Sequence, residues 1–550
     1  YAMKINYVIG AFLCVLGCYA CSSPKTEVQS PDGHIKMTLT VDENGKPFYN
    51  VSVDDSLLIE NSAMGFTAAN GIILGEGFQV KNTTFSSEDE TWTQPWGENK
   101  KNRNHYNEMA VNLTNEDHVQ LTLRFRVFDD GIGFRYEYTV PTVDSLLITD
   151  ELTTFRFHRD GTSWSIPASA ETYELLYQQQ PISEVETANT PFTFKTADGV
   201  YGSIHEAALY DFPEMTLKQI GHYTLKAELA PWPDGIKARK GNHFTTSWRT
   251  VQIAPEAVGL INSSLILNLN EPCGYADTSW IKPMKYIGVW WEMFIGTGKD
   301  WAYSSYNRAK PGVTDYSKLT PNGRHAANTD NVKRYIDFAA KHGFAAVLVE
   351  GWNEGWEDWT AYTKNRQFSF TSPYPDFDVD ELQRYAHEKG VRVMMHHETS
   401  ANAADYERQL DDAFKFMVNH GYNAVKTGYV GPIIPRCEYH ASQWMNNHYI
   451  HVAKRAADFN IMVNSHEAVR PTGLCRTYPN WLAQESARGT EFESMGGNPV
   501  DHTTILPFTR LMGGPMDYTP GIFQGDLSYY ENGYKKDQQA RTTLARQLAL

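Results

Sequence analysis

The chain has 550 residues, of which 41% are hydrophobic and 21% are charged. These fractions are ordinary for globular proteins and exclude a disordered, collagen-like or coiled-coil chain, while the length predicts several domains. The 49 Lys and Arg residues against 65 Asp and Glu residues give a net charge of −16, which repels phosphate backbones and argues against a nucleic-acid partner.

Residues 1–24 have the pattern of a bacterial signal peptide. Lys4 precedes an apolar run over residues 7–17, and small and polar residues follow that run. An apolar run of this length is too short to remain as a membrane-spanning anchor, so the pattern predicts export. Cys18 and Cys21 are alternative lipidation points, and a lipid on either would tether the protein to a membrane.

The mature chain keeps three of the six cysteines, Cys273, Cys437 and Cys475, which stand far apart. Three separated cysteines cannot form a disulfide framework. Outside the leader there is no Cys-x-x-Cys pair, which argues against structural zinc.

Residues 25–280 alternate between apolar and polar positions in short segments that are separated by turn residues. Ile35–Val41 is one such segment and is followed by the turn at residues 42–45, while residues 119–128 form another before the turn at residues 129–131. A period of two at this spacing predicts a large antiparallel β-sandwich.

Residues 281–550 repeat a different unit, in which a helix ends at a glycine and a short apolar strand follows. Residues 328–342 have helical periodicity and are followed by Gly343 and the strand 345–349, and Gly390 and Gly421 end two further units. This is the connection of a parallel sheet, which either closes as a (β/α)8 barrel or stays open as a doubly wound sheet. No Gly-x-Gly-x-x-Gly follows the first strand, which argues against a dinucleotide fold. Later strands are predicted near Leu482 and Leu511.

Charged and aromatic residues stand where the predicted parallel strands end, and in a barrel these ends carry the chemistry. We therefore predict one shared active site, built from Glu292, Glu350, His396, His397, Glu398, Lys426, His466 and Glu467.

Glu485, Glu491 and Glu493 add further carboxylates to this region. Crowded carboxylates repel each other, so such a site either raises some of their pKa values or holds a cation. A carboxyl with a raised pKa can protonate a leaving oxygen, and oxygen ligands without cysteine favour Ca²⁺ over zinc. A zinc amidohydrolase needs His-x-His at its first strand, where this chain has Trp290-Trp291-Glu292, and no Gly-x-Ser-x-Gly nucleophile elbow is present.

At these residues the chain resembles glycoside hydrolase family 97, a bacterial family of α-glucosidases and α-galactosidases, over nearly everything after the leader. Within the family it is most similar to the periplasmic inverting α-glucosidases of Bacteroides starch-utilisation systems. The stretches that carry the resemblance are residues 290–293, 396–400, 426–431, 466–473, 485–491 and 513–521. The family implies an N-terminal β-super-sandwich, a catalytic (β/α)8 barrel, a small C-terminal β domain and a Ca²⁺ ion in the active site.

The resemblance also implies roles for individual residues. Glu491 matches the general acid, while Glu467 and Glu398 match the carboxylates that activate water. The matching calcium ligands are Glu174, Glu467, Glu485 and Glu491, with Glu174 preferred to Glu171 as the ligand from the sandwich domain. The positions that line the sugar pocket are His396, His397, Lys426 and His466.

Two departures from the family pattern affect the expected mechanism and architecture. Retaining members carry an Asp nucleophile at the end of the fourth strand, where this chain has Lys426-Thr427-Gly428, so water must attack directly. After the helical run at residues 540–547 no residues remain for a last barrel strand, so the barrel is expected either to be truncated there or to close in an unusual way, and the C-terminal β domain is expected to be absent.

The preferred hypothesis is a periplasmic, calcium-dependent, exo-acting α-glucosidase that inverts configuration and acts on malto-oligosaccharides. The alternatives are an α-glycosidase for another α-linked sugar, such as an α-galactoside, and a non-catalytic sugar-binding lipoprotein. A binding module needs no acid and base, so the presence of Glu398, Glu467 and Glu491 together argues against it.

Overall fold

A computed structural model describes residues 26–518, except 70, 295–296, 363–364 and 494–495, together with residues 543 and 545. The predicted leader, the helical run at residues 540–547 apart from residues 543 and 545, and the predicted truncation near the last barrel strand lie outside the described residues.

The first half of the chain folds almost entirely into strands. They are β1 (Glu27–Gln29), β2 (Ile35–Val41), β3 (Pro47–Val53), β4 (Ser56–Ala63), β5 (Phe66–Ala68), β6 (Ile73–Leu74), β7 (Gln79–Thr93), β8 (Lys101–Thr114), β9 (Gln120–Phe128), β10 (Gly131–Thr139), β11 (Ser145–Glu151), β12 (Thr154–Arg156), β13 (Gly161–Ser165), β14 (Gln178–Pro181), β15 (Thr187–Asn189), β16 (Phe192–Thr196), β17 (Tyr201–Ala207), β18 (Met215–Gln219), β19 (Thr224–Leu229), β20 (Ala238–Gly241), β21 (His243–Thr245) and β22 (Trp248–Ala254).

These strands form the predicted antiparallel sandwich. A ten-stranded sheet runs in the order β14-β13-β16-β17-β22-β10-β9-β8-β7, with β21 paired to β10, and three four-stranded sheets accompany it. The alternating residues of β2 and β9 place one face of each strand in a common core, where Met37 and Leu123 are fully buried together with Phe134 of β10. The alternation of apolar and polar residues along these strands thus gives each sheet one apolar face, and the apolar faces pack together as a sandwich.

Two short helices, α1 (Ala257–Asn262) and α2 (Leu265–Asn268), lead into the second half. Its elements are β23 (Tyr286–Val289), α3 (Trp291–Phe294), α4 (Thr329–His342), β24 (Ala346–Val349), α5 (Val379–Glu388), β25 (Arg392–Glu398), α6 (Ala403–Asn419), β26 (Ala424–Gly428), α7 (Gln443–Asp458), β27 (Met462–Ser465), β28 (Trp481–Gln484) and α8 (Val500–Ile505). Short 3₁₀ helices are also present, including Trp356–Ala361, Thr490–Glu493 and Arg510–Gly513.

The helix–glycine–strand unit forms as the sequence predicts. The Asn328 side chain caps α4 by accepting a hydrogen bond from the backbone N–H of Asn331 at 3.0 Å, and Gly343 ends the helix with a φ of 76°. The following strand β24 is fully buried, as expected for a parallel strand that is covered on both faces.

Strands β23 to β28 pair in parallel and in chain order, which is the order of a β/α barrel. The strand predicted near Leu482 is β28. Leu511 instead lies in the 3₁₀ helix Arg510–Gly513, and the next parallel pairing along the sheet joins Gln484 to Met516. The apolar residues near Leu511 therefore do not mark a strand, and the sheet is continued five residues later.

The two halves contact each other directly beside the ends of the parallel strands. His205 on β17 is fully buried and its Nε2 lies 2.8 Å from the carbonyl oxygen of Pro471, which follows β27. The backbone N–H of Ala208 donates to the carbonyl of Thr472 at 3.0 Å. The segment around Tyr173 also reaches the mouth of the parallel sheet, where the Tyr173 hydroxyl donates a hydrogen bond to Glu485 at 3.0 Å. Within the described part of the chain, no helix has the length and apolar character needed to cross a membrane.

Candidate active site

The pleat of β25 decides which of its three terminal residues reach the active site. His396 and Glu398 point to the same side, whereas His397 points into the layer between the sheet and the helices. There the His397 ring lies 4.9 Å from the Phe370 ring, and its Nδ1 lies 3.0 Å from the Tyr406 hydroxyl. The structure therefore does not bring His397 to the sugar pocket where the resemblance placed it.

Backbone N–H groups hold the carboxylate of Glu398. Ser400 and Val430 donate to its Oε1 at 2.8 and 3.2 Å. Burial, followed by the neighbouring Glu467, raises the pKa of Glu398 to about 8. The other oxygen fills the space above Gly428, because a Cβ atom built there would lie 2.1 Å from Glu398 Oε2.

Glu467 follows β27 in a left-handed backbone conformation, with a φ of 50°. Its Oε2 accepts a hydrogen bond from the backbone N–H of Tyr429 at 2.8 Å. Burial, and then the charge of Glu485, raises the pKa of Glu467. The segment that follows β26 thus holds both Glu398 and Glu467 with neighbouring N–H groups.

Four carboxylates and one imidazole converge at the mouth of the sheet. Ligand atoms of His466, Glu467 and Glu485 all lie within 4.8 Å of one another, and so do those of Glu174, Glu485 and Glu491. Glu485 belongs to both groups and joins them into one cluster. The structure brings Glu174 here from the sandwich domain, whereas Glu171 accepts a hydrogen bond from His440 Nδ1 at 2.7 Å.

The pKa values in this cluster respond to burial and like charge. Burial, together with Glu485, raises the pKa of Glu491 to about 7 and lifts that of Glu174 well above its usual range. Burial acts in the same direction on Glu485, but its contacts with His466 and the hydrogen bond that Tyr173 donates at 3.0 Å hold its pKa below the ordinary value.

This donor set fits calcium. The carboxylates of Glu174, Glu467, Glu485 and Glu491 supply hard oxygen ligands from two domains, and no cysteine is among them. A divalent cation bound among them would offset the mutual repulsion that otherwise raises the pKa values of Glu174, Glu467 and Glu491.

Asp517 is a site residue to which sequence reasoning gave no role. Its Oδ2 lies 2.6 Å from His466 Nε2 and accepts hydrogen bonds from Tyr286 and Asn464, both also at 2.6 Å. Burial and Lys426 disfavour a charged His466, but the carboxylates of Glu485 and Asp517 raise its pKa to about 10. A cationic His466 is thus fixed between two carboxylates. The one signal in the sequence was the position of Asp517 in the family-like stretch at residues 513–521.

Glu350 anchors a second charged pair. Its Oε1 accepts a hydrogen bond from Lys426 Nζ at 3.0 Å, and its Oε2 accepts one from Trp301 Nε1 at 3.2 Å. Burial opposes ionisation, but Lys426 holds the pKa of Glu350 below its usual range. His396 stands between Glu350 and Glu398, 3.8 Å from each, and its buried Nδ1 has no hydrogen-bond partner among the described residues. His396 can therefore donate to, or accept from, a bound hydroxyl group.

Glu292 does not join this site, although it follows the first parallel strand. Its Oε1 accepts hydrogen bonds from Asn331 at 2.7 Å and from Tyr335 at 3.1 Å, both on α4. The carboxylate therefore ties α3 to a helix of the outer layer. The prediction that all the acidic strand ends face one cavity is wrong for Glu292.

Comparisons with known proteins follow the same division of the chain. Residues 28–272 match the family model described as glycosyl-hydrolase 97 N-terminal, and residues 290–487 match the model described as glycoside hydrolase 97.

Two kinds of relative are similar to the chain. A glycoside hydrolase family 97 enzyme from Pseudoalteromonas sp. strain K8, solved in complex with acarbose, is 41% identical, has a TM-score of 0.86 and is matched over 95% of this chain and 78% of its own. A variant of the enzyme from that strain was solved in complex with panose. A retaining alpha-galactosidase from Bacteroides thetaiotaomicron is 25% identical over 586 residues, which cover all of this chain and 80% of that protein.

Proposed function

The chain belongs to glycoside hydrolase family 97, and on that premise we propose that it is a calcium-dependent, exo-acting α-glucosidase that hydrolyses malto-oligosaccharides with inversion of configuration. That it is a glycoside hydrolase follows from the family, while the sugar, the stereochemistry and the metal are the parts that we propose.

The space above Gly428 carries the proposal of inversion. A retaining relative needs a nucleophilic carboxylate at the end of the fourth parallel strand, which here is β26 and ends at Gly428. The position has no side chain, and the carboxylate of Glu398 already fills the volume in which one would begin. Without a nucleophile at that strand end, a water molecule has to attack the anomeric carbon directly.

The remaining roles are supported by the resemblance to the family, by the raised pKa of Glu491 and by the hydrogen bonds that hold Glu398 and Glu467. Glu491, with a pKa of about 7, is protonated often enough near neutral pH to donate its proton to the leaving glycosidic oxygen. Glu467, or Glu398 in its deprotonated form, accepts a proton from the attacking water, and both are held by the N–H groups of residues 429 and 430. The water oxygen bonds to the anomeric carbon as the glycosidic bond breaks, so protons and oxygens balance.

Calcium would be held by Glu174, Glu467, Glu485 and Glu491 and would supply positive charge that offsets the repulsion among the ionised carboxylates, whereas Glu491 carries a proton when it acts as the general acid. His396, Lys426 and His466 are the polar side chains that we propose for sugar binding. His397 is left out because it packs against Phe370 and Tyr406.

The choice of sugar is supported by the 41% identical relative, whose structures are described with acarbose and panose. A second candidate is an α-galactosidase, because the Bacteroides thetaiotaomicron relative at 25% identity is named a retaining alpha-galactosidase. The higher identity and the empty position at Gly428 favour the glucosidase.

Initial rates on matched aryl α-glucosides and α-galactosides, followed by maltotriose, test the proposal. We expect kcat/KM for the α-glucoside to exceed that for the α-galactoside by about 100-fold or more, since a site built to bind one sugar hydroxyl leaves its polar groups unpaired with the epimer. A preference for the α-galactoside would reject the proposed sugar, and no activity on either would reject the proposed substrate class.

A further inference from the structure

Tyr362 lies at the edge of this site and has no role in the proposed reaction so far. It follows the 3₁₀ helix Trp356–Ala361 and has a left-handed backbone, with a φ of 51°. Arg436 Nη2 donates a hydrogen bond to its carbonyl oxygen. A tyrosine seldom adopts this backbone region without support, so the surrounding structure fixes where the side chain begins.

The ring of Tyr362 rests directly on Gly431. A Cβ atom built at Gly431 would lie 2.2 Å from Tyr362 Cε1, and this glycine has a φ of 107°. Gly431 comes directly after the two residues whose N–H groups hold Glu467 and Glu398. Only a glycine leaves room for an aromatic ring to lie against this segment.

A second contact ties the same element to Glu398. The Ser400 hydroxyl donates to the carbonyl oxygen of Trp359 at 2.7 Å, and the backbone N–H of Ser400 donates to Glu398. The turn that carries Tyr362 is thus linked to Glu398 through Ser400. On its other side it packs against Gly431, which follows the two residues that bind Glu398 and Glu467.

The electrostatics agree with this placement. Burial raises the pKa of Tyr362, and the charges of Glu398 and then Glu467 raise it further. The contact with Gly431 places the phenol beside the segment that binds both carboxylates, and the raised pKa means that it keeps its proton at neutral pH. The side chain is only partly buried, so part of its surface remains accessible to a ligand.

We propose that Tyr362 is a substrate-contacting residue whose hydroxyl donates a hydrogen bond to a hydroxyl group of the sugar bound beside Glu398 and Glu467. The inference rests on the proposed glycosidase function and extends it by naming a specificity-determining contact. Gly431 makes the contact possible because it lets the ring approach.

The test combines a variant of the protein with variants of the substrate. Tyr362→Phe keeps the ring and removes the hydroxyl, and we expect kcat/KM on an aryl α-glucoside to fall about 3- to 10-fold, the usual worth of one neutral hydrogen bond. Tyr385→Phe is the matched control, because it removes a tyrosine hydroxyl that bonds Asp337 on the outer helices at 2.8 Å.

A series of monodeoxy aryl α-glucosides then identifies the partner. The wild-type enzyme should lose activity on several of them, and for one deoxy position the loss should disappear in Tyr362→Phe, because the hydrogen bond is already gone. A purely structural role would lower all the rates equally and leave the pattern of deoxy losses unchanged, which would overturn the inference.

A Gly431→Ala variant gives an independent measurement. Its new Cβ has to displace the Tyr362 ring, so its cost in kcat/KM should be several-fold smaller in a Tyr362→Ala background. Equal costs in the two backgrounds would also count against the contact. If the wild-type enzyme is inactive on every glycoside, the proposed function itself has failed; if it is active and Tyr362→Phe matches it, only this inference has failed.

Discussion

The Oε2 atom of Glu398 occupies the place that a side chain at Gly428 would need, since a Cβ atom built there would lie 2.1 Å away. Glu398 on β25 and Gly428 on β26 are paired positions, and only one of the two can carry a side chain into this space. Glu398 can hold its observed position only because residue 428 is a glycine.

Gly428→Ala should therefore displace Glu398 and lower kcat by about 100-fold, because a shift of about 1 Å in a catalytic group is enough for such a loss. Steady-state kinetics on an aryl α-glucoside measure it. Gly288→Ala is the control, because a Cβ there meets only Trp290 Cβ at 3.9 Å, an ordinary contact. Unchanged activity in Gly428→Ala would mean that the position of Glu398 is not critical.

Much of the fold could be predicted because it depends on local periodicity. The alternation of Ile35–Val41 and the helix–Gly343–strand unit each fix one element from its own residues. The strand ends also located the site. What local patterns cannot give is the face of a strand, so His396 and His397 look equivalent in sequence although only His396 faces the cavity.

The missing parts of the site come from distant segments. Tyr173 and Glu485 are 312 positions apart and meet only because the sandwich packs against the parallel sheet. Asp517 reaches His466 across 51 positions. No periodicity links such pairs, so the placement of Glu174 could be predicted only through the resemblance to a family.

Replacing Glu491 by Gln should cost about 10²–10⁴ in rate on substrates with poor leaving groups, the usual contribution of a general acid. An activated aryl leaving group needs little protonation, so it should lose much less. Rates on maltose and on a nitrophenyl α-glucoside compare the two cases. Glu292→Gln is the matched control, because Glu292 is a strand-end carboxylate whose partners lie on α4. Equal losses on both substrates would assign Glu491 another task.

Chelation should depress hydrolysis and added Ca²⁺ should restore it, since an oxygen-only site gives up its ion to a stronger chelator. Glu174→Gln removes one charged ligand and should raise the Ca²⁺ concentration for half-maximal reactivation by roughly 10-fold or more. Glu171→Gln is the control, because Glu171 bonds His440 outside the cluster. Full activity of metal-free enzyme, verified by elemental analysis, would exclude a role for calcium.

Acid should loosen the contact between the two domains through His205. Burial lowers the pKa of His205 from 6.5 to about 3. Between about pH 6.5 and 3, His205 is protonated in the unfolded chain but not in the folded chain. The free energy of unfolding therefore decreases as the pH falls through this range.

His205→Gln should be less stable than wild type at pH 7.5, because the bonds to Pro471 and Thr190 are disturbed, but it should lose less stability between pH 7.5 and pH 5. Urea unfolding at both pH values gives the comparison. An exposed histidine, His118, supplies the control as His118→Gln. Parallel pH dependence in wild type and His205→Gln would show that His205 does not contribute to acid sensitivity.

Inversion makes a stereochemical prediction that rests on the missing side chain at Gly428. A water molecule between the sugar and the base requires the Glu491 carboxyl to stand roughly 6.5–9.5 Å from that of Glu398 or Glu467, against about 5–5.5 Å in a retaining pair. The water then attacks from the face opposite the leaving group, so the first product should be the β-anomer. Proton NMR during the first minutes of hydrolysis of an α-glucoside distinguishes the anomers before mutarotation mixes them. The α-anomer appearing first would require a covalent intermediate and would overturn both the inverting assignment and the roles given to Glu398 and Glu467.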